Sequence, residues 1–199
     1  MRESTHGTRE KLVATAVQLL EELPPEQVTS ALLLERSGVS KGSLYHFFQD
    51  FQELLDEAYL RRFRGRIDED LAAVRSLVGS SSSSTEFFEQ VHAITLATQS
   101  ADRAANRFER ARVLAIAEHD PRLRVRLGEM QRELNEGFAE SIAAAQAKGW
   151  LTSDVPARVI AVFMQAYTLG VLIEDVSAEP LDKGVWADLI ARIARVGLG

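Results

Sequence analysis

The chain has 199 residues, enough for one large domain or two small ones, and at this length ~70% of the unfolded surface can be buried without covalent staples. It has no cysteine, which excludes disulfides, thiolate metal sites and a cysteine nucleophile and fits a reducing compartment. The net charge is −6, and residues 1–66 hold 9 Lys/Arg against 10 Asp/Glu, so a generally basic nucleic-acid coat is excluded.

The amino terminus, "MRESTHGTRE", has no apolar run of the kind a secretory leader needs, and a cytoplasmic location is expected. Residues 8–23 place Leu12, Ala16, Leu19, Leu20 and Leu23 on one helical stripe, with Thr8 as its N-cap. Pro24 and Pro25 stop that helix. A short helix follows Thr29 or Ser30 and runs to about Ser37; Gly38 supplies a turn, Ser40 caps the next helix, and that helix ends near Phe48. Asp50 then opens a long helix to about Val78, with Glu53 completing a capping-box pattern. The run "GSSSSS", 79–84, reads as a flexible solvent loop.

A helix starting near Thr85 carries Phe87, Val91, Ile94 and Thr98 on one side, and another spans roughly 102–118. Asp120 as cap, Pro121 in the first turn and Gly149 at the end punctuate the next helix. Its stripe is Leu123, Leu127, Met130, Leu134, Phe138 and Ile142. Asp154 opens an apolar helix to about Asp175, and a last helix gathers Trp186, Leu189, Ile190 and Ile193. The expectation is an all-α fold of about nine helices with no internal repeat. The run 159–173 is short for a membrane span of ~20 residues and carries Gln165, so a buried helix is expected and no membrane partner.

The stretch "SGVSKGSLYHFF", 37–48, carries the most chemistry. A helix-turn-helix needs an apolar skeleton that crosses two short helices over a three- or four-residue turn. Leu33, Val39, Leu44 and Phe47 supply it, leaving Lys41, Gly42, Ser43, Tyr45 and His46 on the outer side. Gly42 removes a side chain where the helix would come closest to DNA. From spacing alone, a capped turn-helix in an ordinary helical protein remains the alternative.

The string "TREKLVATAVQLLEE", followed by "SGVSKGSLYHFF" and an acid-capped long helix, resembles the amino-terminal domain of the tetracycline-repressor (TetR/AcrR) family. The resemblance covers residues 8–60; over 80–199 it rests on length and helical pattern. It implies a helix-turn-helix DNA-binding head (1–50) and a larger helical effector-binding and dimerisation domain (51–199). It also implies that Thr29, Ser40, Lys41, Gly42, Ser43, Tyr45 and His46 form the DNA face. Thr29, Tyr45 and His46 would hold phosphates, and Lys41 and Ser43 would lie near base edges or backbone. Two positions depart from the family pattern. Phe51 stands where a lysine is usual, and Leu34 where a small residue is usual.

Other candidates have plainer readings. His92 reads first as a core or boundary histidine and second as a ligand contact. In "EHD", 118–120, adjacent helical residues diverge, so no acid–base centre forms and no enzyme is expected. No His pair has metal-binding spacing and no phosphate loop occurs, so neither cofactor nor metal is expected. Arg61, Arg62, Arg64 and Arg66 read as a solvated face, and Arg103, Arg107 and Arg110 as solvent or ion-pair residues. Phe88, Phe108, Phe138 and Phe163, with polar His92, Gln165, Tyr167 and Thr168, are either plain core or the lining of an effector pocket.

The helix 155–175 is apolar nearly all round, so it and 183–196 are expected to pack against their symmetry mates in a homodimer. The functional expectation is a ligand-responsive repressor that binds a pseudo-palindromic double-stranded operator and is released by a small-molecule effector. The alternative is an all-helical small-molecule-binding protein or enzyme without DNA binding.

Overall fold

The computed structural model describes residues 2–199, with side chains described from Gly7 onward. Among the described residues it is all-α: α1 (Arg2–Glu22), α2 (Ser30–Ser37), α3 (Lys41–Phe47), α4 (Phe51–Ser80), α5 (Ser84–Thr98), α6 (Ala104–His119), α7 (Pro121–Ala147), α8 (Ala157–Gly170), α9 (Leu172–Asp175) and α10 (Lys183–Leu198). Nine of these are helices of seven residues or more, and α9 is a single turn. The chain divides into two compact units, one ending at Arg66 and the other beginning at Ile67, with α4 continuous through the division.

In the first unit α1, α2 and α3 close over the start of α4. Leu12, Leu19, Leu33, Leu44 and Leu54 are fully buried, each stabilising the fold by roughly 1.5–3 kcal/mol relative to exposure. The turn between α2 and α3 is made by Gly38 at φ 63, a left-handed conformation that lets its N–H close onto Leu34 O. Phe48, at 2% exposure, completes this core; the expected Phe47 is only half-buried. The Asp50–Glu53 cap forms as expected, with Glu53 N donating to Asp50 Oδ1 (2.8 Å) and Gln49 N to Glu53 Oε2 (2.5 Å). The expected cap at Thr8 does not form, because α1 already starts at Arg2. Its first turns are polar, so no apolar period marks them. Arg61 is not simply solvated: it grips Glu10 through both Nη atoms (2.5 and 2.7 Å), while Arg9 pairs with Glu57 (3.2 Å).

In the second unit α7 is the central element. Leu123, Leu127, Leu134, Phe138 and Ile142 are buried along one side, and Asp120 Oδ1 accepts from the N–H groups of Arg122 and Leu123. Gly149, at φ 71, reverses the chain after α7. The serine run is not a loose loop. Ser81 is buried and donates to Leu77 O (2.8 Å), Ser82 donates twice to Glu86 Oε2, and Ser83 caps α5 by accepting from Glu86 N (3.2 Å). Serine satisfies helix ends through its hydroxyl, so a polar run here makes a tight corner.

Three further expectations shift. On α5 Phe87 is buried as expected, but Phe88, Thr95 and the C-cap Gln99 are buried with it, while Ile94 and Thr98 are only half-buried. The apolar helix starts after Pro156, not at Asp154, and breaks at Val171 into α8 and α9. On α10, Ile190 is buried, but Leu189 and Ile193 are 41% and 46% exposed.

Candidate nucleic-acid interface

Seven residues make α3, and their pattern is set by Leu44, which is fully buried against the scaffold. With that side chain pointing inward, Lys41, Gly42, Tyr45 and His46 are exposed and Ser43 is half-buried. Ser40 caps the helix by accepting from Ser43 N (3.2 Å), and the two serine hydroxyls lie 2.9 Å apart. Tyr45 is 46% exposed, with Lys41 Nζ 6.0 Å from its ring centroid. His46 meets Phe47 edge to face at 5.0 Å. Around Gly42, an added Cβ would meet only Ser40 Oγ at 4.0 Å, so internal packing does not require a glycine there. Its absent side chain instead leaves the outer surface of α3 low.

Thr29 is exposed at the N-terminus of α2, where its Oγ1 accepts from Leu32 N (3.3 Å). Its hydroxyl proton remains available for an external acceptor. The outer side of this helix pair therefore offers hydroxyls, an ammonium, a phenol and an imidazole on short, capped helices. That inventory suits phosphate oxygens and base edges. Leu34 and Phe51, the two departures from the family pattern, are both half-buried.

Residues 12–58 match the pattern described as bacterial regulatory proteins, tetR family. The match is confined to this head, and within it the chain carries a tetR-type DNA-binding pattern. Solved structures share the fold over almost the whole length. A TetR transcription regulator from Haloarcula marismortui is 13% identical with TM-score 0.68, covering 98% of this chain and 100% of its own. A TetR/AcrR-family regulator from Thermobifida fusca is 16% identical with TM-score 0.60, covering 95% and 97%. The fatty acid degradation regulator FadR from Bacillus halodurans is 16% identical with TM-score 0.60, covering 96% and 95%. No curated protein sequence matches the chain.

The second unit contains an apolar cavity of about 50 Å³. Val74, Leu77 and Val78 of α4, Phe87, Phe88 and Val91 of α5, and Ile190, Ala194 and Leu198 of α10 form much of its wall. Ser141 and Ile142 of α7, Leu151, and Ile160, Phe163, Met164 and Tyr167 of α8 complete it; no charged side chain lines it. Of the eight residues expected at an effector pocket, Phe88, Phe163 and Tyr167 are brought together there. Phe138 is buried but outside the lining, and Phe108 is 41% exposed on α6. Thr168 donates to Met164 O (2.8 Å), and His92 Nε2 meets Asp188 Oδ1 at 2.9 Å, both away from the cavity.

Gln165 turns into a polar cluster instead. Its Oε1 accepts from Arg110 Nη2 (2.8 Å) and Gln131 Nε2 (2.6 Å), and its Nε2 donates to Asn135 Oδ1 (2.7 Å). Burial lowers the Arg110 pKa, opposed by the charge of Asp70. Tyr167 OH lies 3.3 Å from Thr95 Oγ1, and burial pushes its pKa up, so the phenol stays protonated. The cavity walls on α4 and α10 were not singled out from the sequence. The available signal was the i, i+4 series Ile190, Ala194 and Leu198, whose small middle residue leaves room between larger neighbours.

Proposed function

We propose that this chain is a ligand-responsive transcriptional repressor that binds a pseudo-palindromic operator as a homodimer and releases it when a small molecule occupies the second unit. The observation that carries the reading is the exposed, capped α3 of the tetR-type head. Lys41, Tyr45 and His46 face solvent while Leu44 anchors the helix from behind. Such a helix, seven residues long and about 10 Å at 1.5 Å per residue, fits a major groove about 12 Å wide.

Dimerisation is supported by apolar faces that one copy leaves uncovered. Val185, Leu189, Ile193 and Val196 of α10 form a single exposed stripe, and Val159, Val162 and Phe163 of α8 are 41–55% exposed. Contiguous apolar surface of this kind needs a partner. The run Ala157–Asp175 has a mean hydropathy of 1.4, marginal for a membrane span. However, α8 alone has 14 residues and reaches roughly 21 Å, short of the ~30 Å hydrocarbon core. A second copy of the same surface is the fitting cover, and a two-fold dimer reads half-sites about one DNA turn apart, ~34–36 Å.

The proposed switch uses α4, whose Val74, Leu77 and Val78 form part of the cavity wall and whose amino-terminal turns belong to the head. An effector displaces the equilibrium only if it binds the released form more tightly than the DNA-bound form. The decisive experiment selects bound sequences from random duplex DNA, then measures the affinity of Lys41→Ala and wild type for the selected site across salt concentrations. Loss of affinity with a slope flatter by ~1 unit is expected. No enriched sequence, or Lys41→Ala binding like wild type at every salt concentration, would contradict the contact assignment.

A further inference from the structure

We infer that the cavity of the second unit recognises an uncharged amphiphile: a short hydrocarbon tail with a neutral hydrogen-bonding head such as a carboxamide. This deepens, and rests on, the effector reading given above. The tail is specified by the lining, which carries no charge and whose hydroxyls are those of Ser141 and Tyr167. Ser141 already donates to Gly137 O (3.3 Å). Desolvating an ammonium or a carboxylate against such a wall is costly without a counter-charge.

The head is specified by two buried groups that lack partners among the described residues. Both amide atoms of Gln99 and the indole Nε1 of Trp186 make no hydrogen bond, and Gln99 is only 1% exposed. Buried polar atoms are nearly always satisfied, so an orphaned amide on one helix end and an orphaned indole N–H on the helix packed against it require an explanation. Their register supplies one. Phe88 and Val91 line the cavity on α5, and Thr95 and Gln99 continue that inner stripe at i+4 and i+8 from Val91. Ala194 and Ile190 line it on α10, and Trp186 continues that stripe four residues further.

The two helices run antiparallel. Arg195 lies over the Phe88 ring (5.5 Å), and His92 meets Asp188. Both stripes therefore leave the apolar cavity toward the same end, where the Thr95–Tyr167 hydroxyl pair also lies. Together the groups offer three N–H donors (two on Gln99, one on Trp186), one carbonyl acceptor and two hydroxyls, the complement of a neutral amide rather than an ion. The buried cation Arg107, which bonds the backbone on both sides of Gln99, is already held by Asp175, Thr98 O and Ser100 O. It does not supply a carboxylate site.

The volume limits the tail. A cavity of ~150 Å³ holds benzene, so about 50 Å³ admits two or three methylenes as the cavity stands. A longer tail displaces the flexible Met164 and the 41% exposed Phe163.

The test titrates free protein, without DNA, with hexanamide, sodium hexanoate and hexyltrimethylammonium while following the Trp186 Nε1–H resonance. A saturable shift with hexanamide, at least about 10-fold weaker binding of the other two, and about 10-fold weaker hexanamide binding by Gln99→Leu are expected. Because Gln99→Leu also removes an unpaired buried amide, its unliganded Tm should rise by roughly 2–4 °C. Equal response to all three probes, response to none, or a lower Tm in Gln99→Leu would overturn the inference. DNA binding is scored separately on the same sample. A protein that binds its selected duplex yet ignores hexanamide refutes the ligand class and leaves the regulator reading standing. One that binds hexanamide but no duplex does the reverse.

Discussion

Replacing Asp175 by asparagine tests how the second unit is held together. Its carboxylate is 4% exposed and the Arg107 guanidinium 5%, and they meet through two bonds, Nε to Oδ2 (2.5 Å) and Nη2 to Oδ1 (2.7 Å). Arg107 also donates to Thr98 O (2.8 Å) and Ser100 O (3.2 Å), so one guanidinium joins the end of α5, α6 and α9. In Asp175→Asn the side chain keeps its shape, but an amide N–H replaces one acceptor in front of an arginine donor. The cation stays buried and unbalanced. Breaking a buried pair from one side costs about 3–5 kcal/mol, which at 2–4 °C per kcal/mol for a chain of this size lowers Tm by roughly 6–20 °C.

Circular dichroism melts at 222 nm measure this directly. Two controls separate the buried pair from ordinary surface charge. Lys183 Nζ lies 3.6 Å from Asp175 and its side chain is 26% exposed, so Lys183→Gln should cost no more than about 1 kcal/mol. The double variant Arg107→Met/Asp175→Leu should recover most of the loss, because it leaves no buried charge. The pH dependence has a definite sign. Hydrogen bonding from Arg107 holds the Asp175 carboxyl below its ordinary value of 3.8, outweighing the opposing effect of burial. Its contribution is thus complete above the unfolded-state pKa and disappears as pH falls through the lower folded one, a slope that Asp175→Asn should abolish. A loss under about 1 kcal/mol in Asp175→Asn would show the pair to be worth no more than an exposed one.

Two glycines on α7 should respond oppositely to alanine. A Cβ on Gly137 would collide with the Leu71 side chain, whose Cδ1 and Cγ lie at 3.3 and 3.4 Å, so Gly137→Ala should cost about 1–3 kcal/mol in urea unfolding. Nothing lies within 4 Å of a Cβ on Gly128, and Gly128→Ala should stabilise by up to about 1 kcal/mol through helix propensity. On α10, Leu189→Glu/Ile193→Glu places two carboxylates in the exposed stripe. If the proposed dimer uses this stripe, sedimentation equilibrium should show weaker self-association than in wild type, and an unchanged association constant would move the interface elsewhere.

The head was legible because its residues act locally. Gly38 is needed for one left-handed turn, Thr29 and Ser40 for two caps, and Leu33 and Leu44 for one crossing of short helices. Each of these demands a residue type at a fixed spacing, and spacing is what a sequence displays. The small errors there arose where two apolar neighbours compete. Phe47 and Phe48 carry the same hydropathy, and only the end of α3 after Phe47 decides that Phe48 turns inward. The serine corner was misread for a related reason. Composition treats serine as solvent-seeking, whereas Ser81 and Ser83 spend their hydroxyls on helix-end backbone groups and Ser82 donates to the Glu86 carboxylate.

The second unit was harder because its interior is partly polar. Helical periodicity assigns apolar residues inward and polar ones outward. Thr95, Gln99, Arg107 and Gln165 violate that assignment, and each is at least nine-tenths buried. Three of them find partners that lie 68, 55 or 72 residues away along the chain: Arg107 with Asp175, Gln165 with Arg110, and Thr95 with Tyr167. No local pattern encodes such pairings. A polar residue can face inward only when the completed fold brings its complement, so its position is a property of tertiary structure. Gln99 is the one of the four whose side chain finds no complement within the described chain. The cost of leaving it there is the same desolvation that the other three avoid. A buried amide kept at that cost gains a physical rationale only from something that binds it, which is why its replacement should raise stability and weaken binding together.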